Sequence, residues 1–124
     1  MNLLIHHHTE VYVDKQGIWV QSFIGVWVHE IAKNINQVGL LLHNSKTKNQ
    51  KLDYCITNLN VKLESLGENR GWRNRIQRLR FIKKKCESLY NYSHLIVRGV
   101  TPRQLLVINS SPLKNKFFLF AGCV

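Results

Sequence analysis

Runs of consecutive apolar residues alternate along this chain with stretches whose apolar residues recur at helical spacing. The runs are typical of buried strands, and one stretch of alternating apolar and polar residues is typical of a half-buried or edge strand. The predicted strands cover residues 3–7, 38–43, 59–66, 94–97 and 116–121. Strands that alternate with helices form a parallel sheet with helices on its faces. We therefore predict an α/β fold with a Rossmann-like, mainly parallel sheet flanked by helices.

Three stretches predict the helices. Apolar residues recur at helical spacing over 22–35, with Ser22 as the expected N-cap and Asn36 as the expected left-handed stop. A second, long helix is predicted over 72–90, with the apolar stripe of Trp72, Ile76, Leu79 and Cys86 facing the sheet. A short third helix begins at 101–102, where a hydroxyl precedes proline. The predicted order is β-α-β-β-α-β-α-β.

The length and composition indicate one folded domain. The chain has 124 residues, of which 44% are hydrophobic, enough for a modest core but for no second domain. Only a few residues follow the last predicted strand, so we expect residues 1–124 to be an incomplete part of a longer protein. The three cysteines form no paired motif, which predicts reduced thiols in a cytoplasmic protein. Neither a signal peptide nor a membrane-spanning stretch is present in this sequence.

Positive charge is concentrated in one segment. The chain has a net charge of +11, and residues 70–85 contain eight basic residues and no acidic one. Like charges one turn apart destabilise a helix, so a solvated face normally mixes signs. Three interpretations stay open: docking on an anionic membrane with an aromatic ring among the headgroups, nucleic-acid binding, and a plain solvated helix. The predicted surface comprises Arg73, Arg75, Arg78, Arg80, Phe81, Lys83, Lys84 and Lys85.

A second predicted site lies at the carboxyl ends of the strands, where parallel sheets bind ligands at the point of strand-order reversal. The turns after residues 8 and 97 should lie side by side there. Arg98 would offer a guanidinium to an anion, and the helix start would offer backbone N–H groups. The predicted cleft residues are Gly17, Arg98, Gly99 and Thr101. The run 6–8 of three histidines is interpreted as a strand end and the start of its loop, not as a metal site.

Several catalytic and cofactor motifs are missing from the sequence. It contains neither a GxGxxG dinucleotide loop nor a GxxxxGK[ST] phosphate loop, and neither a GxSxG elbow nor an HExxH pair. No self-contained set of nucleophile, base and orienting group stands out. We therefore expect no cofactor and no metal, and the sequence identifies no catalytic residue.

Three stretches resemble the N-terminal domain of the GT-B glycosyltransferases, in particular the large retaining, family-4-like group. Residues 1–8 resemble its opening strand. Gln16-Gly17, followed by the helical residues 29–35, is similar to its loop glycine and "E-L-A-K-x-L" helix. Residues 92–102, which read YSHLIVRGVTP, resemble the run "Y-D-x-I-x-V-R-G-P-T-P" at its fourth strand.

The resemblance implies the acceptor-side domain of a hexosyltransferase in polysaccharide or lipopolysaccharide synthesis. A glycan or lipid-linked acceptor would bind this half, and the nucleotide-sugar donor would bind a C-terminal domain that this sequence lacks. Such a half would be inactive alone, and the basic segment would hold it peripherally at the inner face of the membrane. A basic nucleic-acid-binding α/β module is the alternative, with the same segment on phosphates.

Overall fold

The computed structural model describes residues 1–68, 75–98, 102–113 and 115–119, which contain seven strands and three helices. In chain order the elements are β1 (Asn2–Val13), β2 (Ile18–Val20), α1 (Ser22–Ala32), β3 (Gln37–Asn44), β4 (Tyr54–Ile56), β5 (Val61–Glu68), α2 (Arg75–Glu87), β6 (His94–Arg98), α3 (Pro102–Ser110) and β7 (Asn115–Leu119). Every strand and helix that the sequence predicted is present, with shifted ends. The α/β class is confirmed.

Five strands form a parallel core with β1 at its centre. β1 pairs in parallel with β3 on one side and with β6 on the other. β5 continues the sheet beyond β3, and β7 continues it beyond β6. The order across this core is therefore β5-β3-β1-β6-β7.

The complete sheet is mixed, because β2 runs antiparallel to β1 and β4 runs antiparallel to β2. The sequence predicted neither of these strands, and it ended the first strand at His7, whereas β1 continues to Val13. The predicted loop over 6–21 is thus largely strand. Since β2 and β4 have three residues each, they are too short for an apolar period to mark them.

Helices cover both faces of the sheet. Successive residues of a strand point to opposite faces, so neighbouring leucines of β3 enter different cores. Leu40 packs in the core under α1 with Val28, and Leu41 packs in the core under α2 and α3 with Ile82. This double coverage explains why the core strands read as continuous apolar runs.

The ends of α1 differ from the prediction. Ser22 is the first helical residue rather than the N-cap, and its N–H donates to Asp53 Oδ1 at 3.0 Å. The helix ends at Ala32, and Asn36 is not left-handed, since no non-glycine residue of the described ranges has a positive φ. The Asn60 side chain instead donates to the carbonyls of Ala32, at 2.7 Å, and Ile35, at 2.9 Å. Distant side chains thus cap this helix at both ends.

The buried stripe of α2 is shorter than predicted. Ile82, Cys86 and Leu89 are buried against the sheet and α3, but Leu79 is 40% exposed. The side chains of Trp72 and Ile76 lie outside the described residues. Burial raises the pKa of the Cys86 thiol to about 12, so this cysteine is an inert part of the core.

A buried carboxylate joins α2 to the edge of the sheet. Glu64 of β5 accepts a hydrogen bond from Tyr92 Oη at 3.1 Å and pairs with Lys85 Nζ at 2.7 Å. Burial alone would raise the pKa of Glu64, but the hydrogen bonds from Lys85 and Tyr92, with the charges of Lys85 and Lys62, lower it below its ordinary value. The Tyr92 ring packs in turn on Gly39 of β3, where an added Cβ would lie 2.5 Å from it.

Glu64→Gln should destabilise the protein and flatten its response to acid. Because the folded-state pKa is depressed, the charged Glu64 contributes stability above the ordinary pKa of 4.5 and loses that contribution as the pH falls toward the folded pKa. We expect a loss of roughly 1–3 kcal/mol in unfolding free energy at neutral pH, and a shallower decline on acidification than in the native protein. Urea unfolding at several pH values measures both.

Glu30→Gln is the matched control, because Glu30 pairs with Lys33 at 3.1 Å on the exposed surface of α1. Such a pair contributes about 0–1 kcal/mol. Equal losses in the two variants would contradict a special role for Glu64.

Candidate functional site

The carboxyl ends of β1's parallel segment and of β6 lie side by side. Residues 3–6 of β1 pair in register with 94–97 of β6, so that His6 stands opposite Val97. The chain builds the sheet outward from β1 through β3 to β5, and then returns to the other side of β1 with β6 and β7. Strand order therefore reverses between β1 and β6, as predicted, but the predicted turn after residue 8 is wrong, because β1 continues to Val13. In open parallel sheets, this is the position of the ligand crevice.

An irregularity in β1 lies at this point. His6 pairs with Leu41 of β3, and the next pair is Glu10 with His43. Residues 7–9 therefore stand opposite the single residue Leu42, and we call them the histidine bulge. Such bulges break the alternation of a strand and re-aim its side chains, and they are common beside active sites. The bulge also separates the part of β1 that pairs with β6 from residues 12–13, which pair with β2.

Hydrogen bonds assign different tautomers to two neighbouring histidines. The Thr9 N–H donates to His7 Nδ1 at 3.1 Å, and the Thr9 hydroxyl lies 3.1 Å from the same nitrogen. Because a backbone N–H only donates, neutral His7 carries its proton on Nε2. His6 Nδ1 lies 2.7 Å from the Leu41 carbonyl, which only accepts, so His6 carries a proton on Nδ1. The two buried rings thus hold opposite tautomers at neighbouring positions of β1.

Aromatic contacts connect the histidine bulge to α1. The rings of His7 and His8 are stacked with centroids 4.2 Å apart and an interplanar angle of 28°. His7 also meets Phe23, in the first turn of α1, edge to face at 5.8 Å. His7 is buried, whereas His8 is exposed and Phe23 is 49% exposed. A buried ring therefore supports two exposed aromatic side chains at the rim of the sheet.

Polar contacts also fix the neighbouring strand ends. His43 Nδ1 of β3 lies 3.3 Å from the Gly67 carbonyl of β5 and donates to it. The Ser65 hydroxyl donates to Asn44 Oδ1, and it accepts the Gly67 N–H at 3.0 Å. The carboxyl ends of β3 and β5 are thereby held together beside the histidine bulge.

The predicted cleft residues do not all meet at this rim. Arg98 is the last residue of β6, and its backbone lies directly after the Val97–His6 pair. Gly99 and Thr101 lie outside the described residues. Gly17 lies in the turn between β1 and β2 with φ 151°, where an added Cβ would be 2.5 Å from the Ile56 carbonyl of β4. Seven strand residues separate His6 from the end of β1, roughly 20 Å, so Gly17 lies away from the end of β6.

The outer surface of α2 is a separate basic surface. Arg80, Phe81, Lys83, Lys84 and Glu87 line a groove of about 490 Å³, and Phe81 is 50% exposed. Lys85 belongs to the inner side of the helix, where Glu64 neutralises it. The side chains of Arg75 and Arg78 are not among those described, and Arg73 lies wholly outside the described residues.

Sequence reasoning assigned no role to Phe23 or Thr9. Phe23 does not belong to the buried stripe of α1. An aromatic residue on the exposed side of the first helical turn was the sequence signal that could have identified it. Thr9 contacts His7, two residues earlier, inside the histidine bulge. The bulge depends on the pairing of β1 with β3, and local composition does not reveal it. The histidines were noticed, but they were interpreted as the end of a strand.

Comparisons with protein-family models, with curated proteins and with solved structures found no match for this chain. Among the described residues, no three His, Cys, Asp or Glu side chains are grouped so that they would hold a metal ion. None of the described helices combines the length and the apolar character needed to cross a bilayer.

The tautomers at the rim are directly measurable. In long-range ¹H–¹⁵N spectra at neutral pH, we expect His7 to carry its proton on Nε2 and His6 to carry one on Nδ1. Thr9→Val is the informative control, because it removes the hydroxyl and keeps the backbone N–H, so His7 should retain its tautomer. A proton on His7 Nδ1 in the native protein would contradict this geometry.

Proposed function

We propose that this chain is the acceptor-binding half of a GT-B type sugar transferase in polysaccharide or lipopolysaccharide synthesis. The observation that supports this proposal most directly is the reversal of strand order between β1 and β6, with the histidine bulge at that point. A parallel core ordered β5-β3-β1-β6-β7 is the arrangement expected of a Rossmann-like half of such an enzyme. The antiparallel pair β2 and β4 would then be an addition to that core.

The groups at the rim suit an acceptor rich in hydroxyls. The exposed imidazole of His8, which stacks on the buried His7, can both donate and accept hydrogen bonds, as sugar hydroxyls do. Arg98 is the last residue of β6, and its side chain is not among those described; we propose that its guanidinium would favour an acceptor that carries a phosphate. In the proposed enzyme a second domain binds the nucleotide-sugar, so this half binds only the acceptor.

Binding of a soluble acceptor fragment tests the proposal. The probes are a β-linked glucosamine disaccharide with one phosphate and the same disaccharide without it. We expect ¹H–¹⁵N shift changes in the backbone of 7–9 and 96–98, with weaker binding for the uncharged sugar because it lacks the phosphate that Arg98 is proposed to bind. No shifts in these segments, or shifts on α2 alone, would refute the acceptor site. Sugar transfer by this chain alone would refute the proposal that the acceptor and the nucleotide-sugar bind to two separate domains.

We also propose that the outer surface of α2 attaches the protein peripherally to an anionic membrane. Arg80, Lys83 and Lys84 border a half-exposed Phe81, and among the described residues that line this groove Glu87 is the one carboxylate. Each basic residue close to an anionic bilayer contributes about 1 kcal/mol, and a partly inserted aromatic ring adds to that attraction.

Phe81→Ala should weaken flotation with liposomes that contain anionic lipid, by about three- to tenfold in the partition coefficient, because the ring no longer inserts. Tyr90→Ala is the matched control: Tyr90 is 79% exposed just beyond the end of α2, and its loss should leave partition unchanged. Partition that is equal for Phe81→Ala and the native protein would rule out insertion. A gel shift with RNA or DNA that exceeds liposome binding at the same salt concentration would favour the nucleic-acid alternative.

A further inference from the structure

Two exposed aromatic side chains at the rim are held in fixed positions by a buried one. His7 is buried and is anchored by the Thr9 N–H at 3.1 Å. Its ring stacks on exposed His8 and meets Phe23, which comes from a different element, α1. Both exposed side chains are therefore positioned before any ligand arrives, which lowers the entropic cost of binding.

Phe23 lies on the solvent-exposed side of α1. α1 buries Ile24 and Val28 and leaves the 23 and 26 positions toward solvent, so the ring gains little from the core. Its contact is instead with the histidine bulge, at the point where the strand order reverses. A half-exposed phenyl ring beside a fixed imidazole stack is a surface that recognises other rings.

We propose that Phe23 and His8 form the stacking surface for a pyranose ring of the acceptor. This inference rests on the proposed function and specifies its substrate class. An aromatic face is electron-rich, and the C–H bonds on one face of a pyranose with mostly equatorial hydroxyls carry slight positive charge. Glucose and glucosamine in β linkage present such a face, while their hydroxyls point sideways toward the polar groups of the strand ends.

The test compares variants in binding the phosphorylated glucosamine disaccharide. Phe23→Ala should weaken binding about three- to tenfold, and Phe23→Tyr, which keeps the ring, should stay within about twofold of the native protein. Phe81→Ala is the matched control, because Phe81 is 50% exposed against 49% for Phe23 and lies on α2. Ring-current shifts give a specific readout: sugar C–H protons of one face should move upfield with the native protein and not with Phe23→Ala.

The outcomes separate this inference from the proposed function. If the disaccharide shifts residues 7–9 and 96–98 equally well in Phe23→Ala, the stacking surface is refuted and the acceptor site stands. If the native protein does not bind the disaccharide there, both are refuted. A uridine nucleotide tests a competing ligand, a nucleobase. If its base binds on Phe23 more tightly than the disaccharide does, the inference is also overturned. Should the alanine variant fold poorly, the ring-current shifts decide: sugar C–H protons that do not move upfield with the native protein would refute the stacking surface.

Discussion

The pairing of β1 on both of its edges is the constraint on which the rest of this structure depends. Residues 3–6 satisfy their backbone hydrogen bonds with β3 on one side and β6 on the other, which removes this segment from solvent entirely. Its side chains must then fill two cores, and Ile5 enters the core under α1 while Leu4 enters the core under α2 and α3. A polar residue is tolerated only where a partner is fixed, as for His6 beside the Leu41 carbonyl.

The histidine bulge follows from a change in the partners of β1. Over residues 3–6 the strand serves a parallel core, and at residues 12–13 it pairs antiparallel with β2. Between these segments, three residues of β1 face one residue of β3, and the ladder is interrupted. The interruption begins level with Arg98, the last residue of β6, so the side chains that leave the regular alternation do so where the strand order reverses. The change of partner along β1 is thus part of both the fold and the candidate site.

The sequence correctly predicted the elements that follow from a local pattern of apolar and polar residues. The continuous apolar run of β3 and the stripe of α1 each express burial along a single element, and both were found with nearly correct ends. The sequence did not predict features that depend on contacts between residues far apart in the chain. Ser22 was expected to cap α1 with its own side chain, but Asp53 supplies the oxygen from 31 residues away. Lys85 was counted with the exposed charges of its helix, but its partner Glu64 lies on β5. No short stretch of the sequence contains both residues of such a pair, so a local pattern does not reveal their contact.

The same reasoning connects the two candidate surfaces. Glu64 holds Lys85, and with it the inner side of α2, against the sheet, so Phe81 and its basic neighbours are turned outward. Phe81 also lies over the carboxyl end of β5, since a Cβ on Gly67 would come within 3.5 Å of its ring. The Gly67 carbonyl accepts from His43 at the end of β3, next to the strand that carries the histidine bulge. In the proposed enzyme, attachment through α2 would therefore bring the carboxyl edge of the sheet close to the headgroups. A lipid-linked acceptor presents its sugar at that depth, so the two proposals, though argued from different residues, require one orientation of the domain.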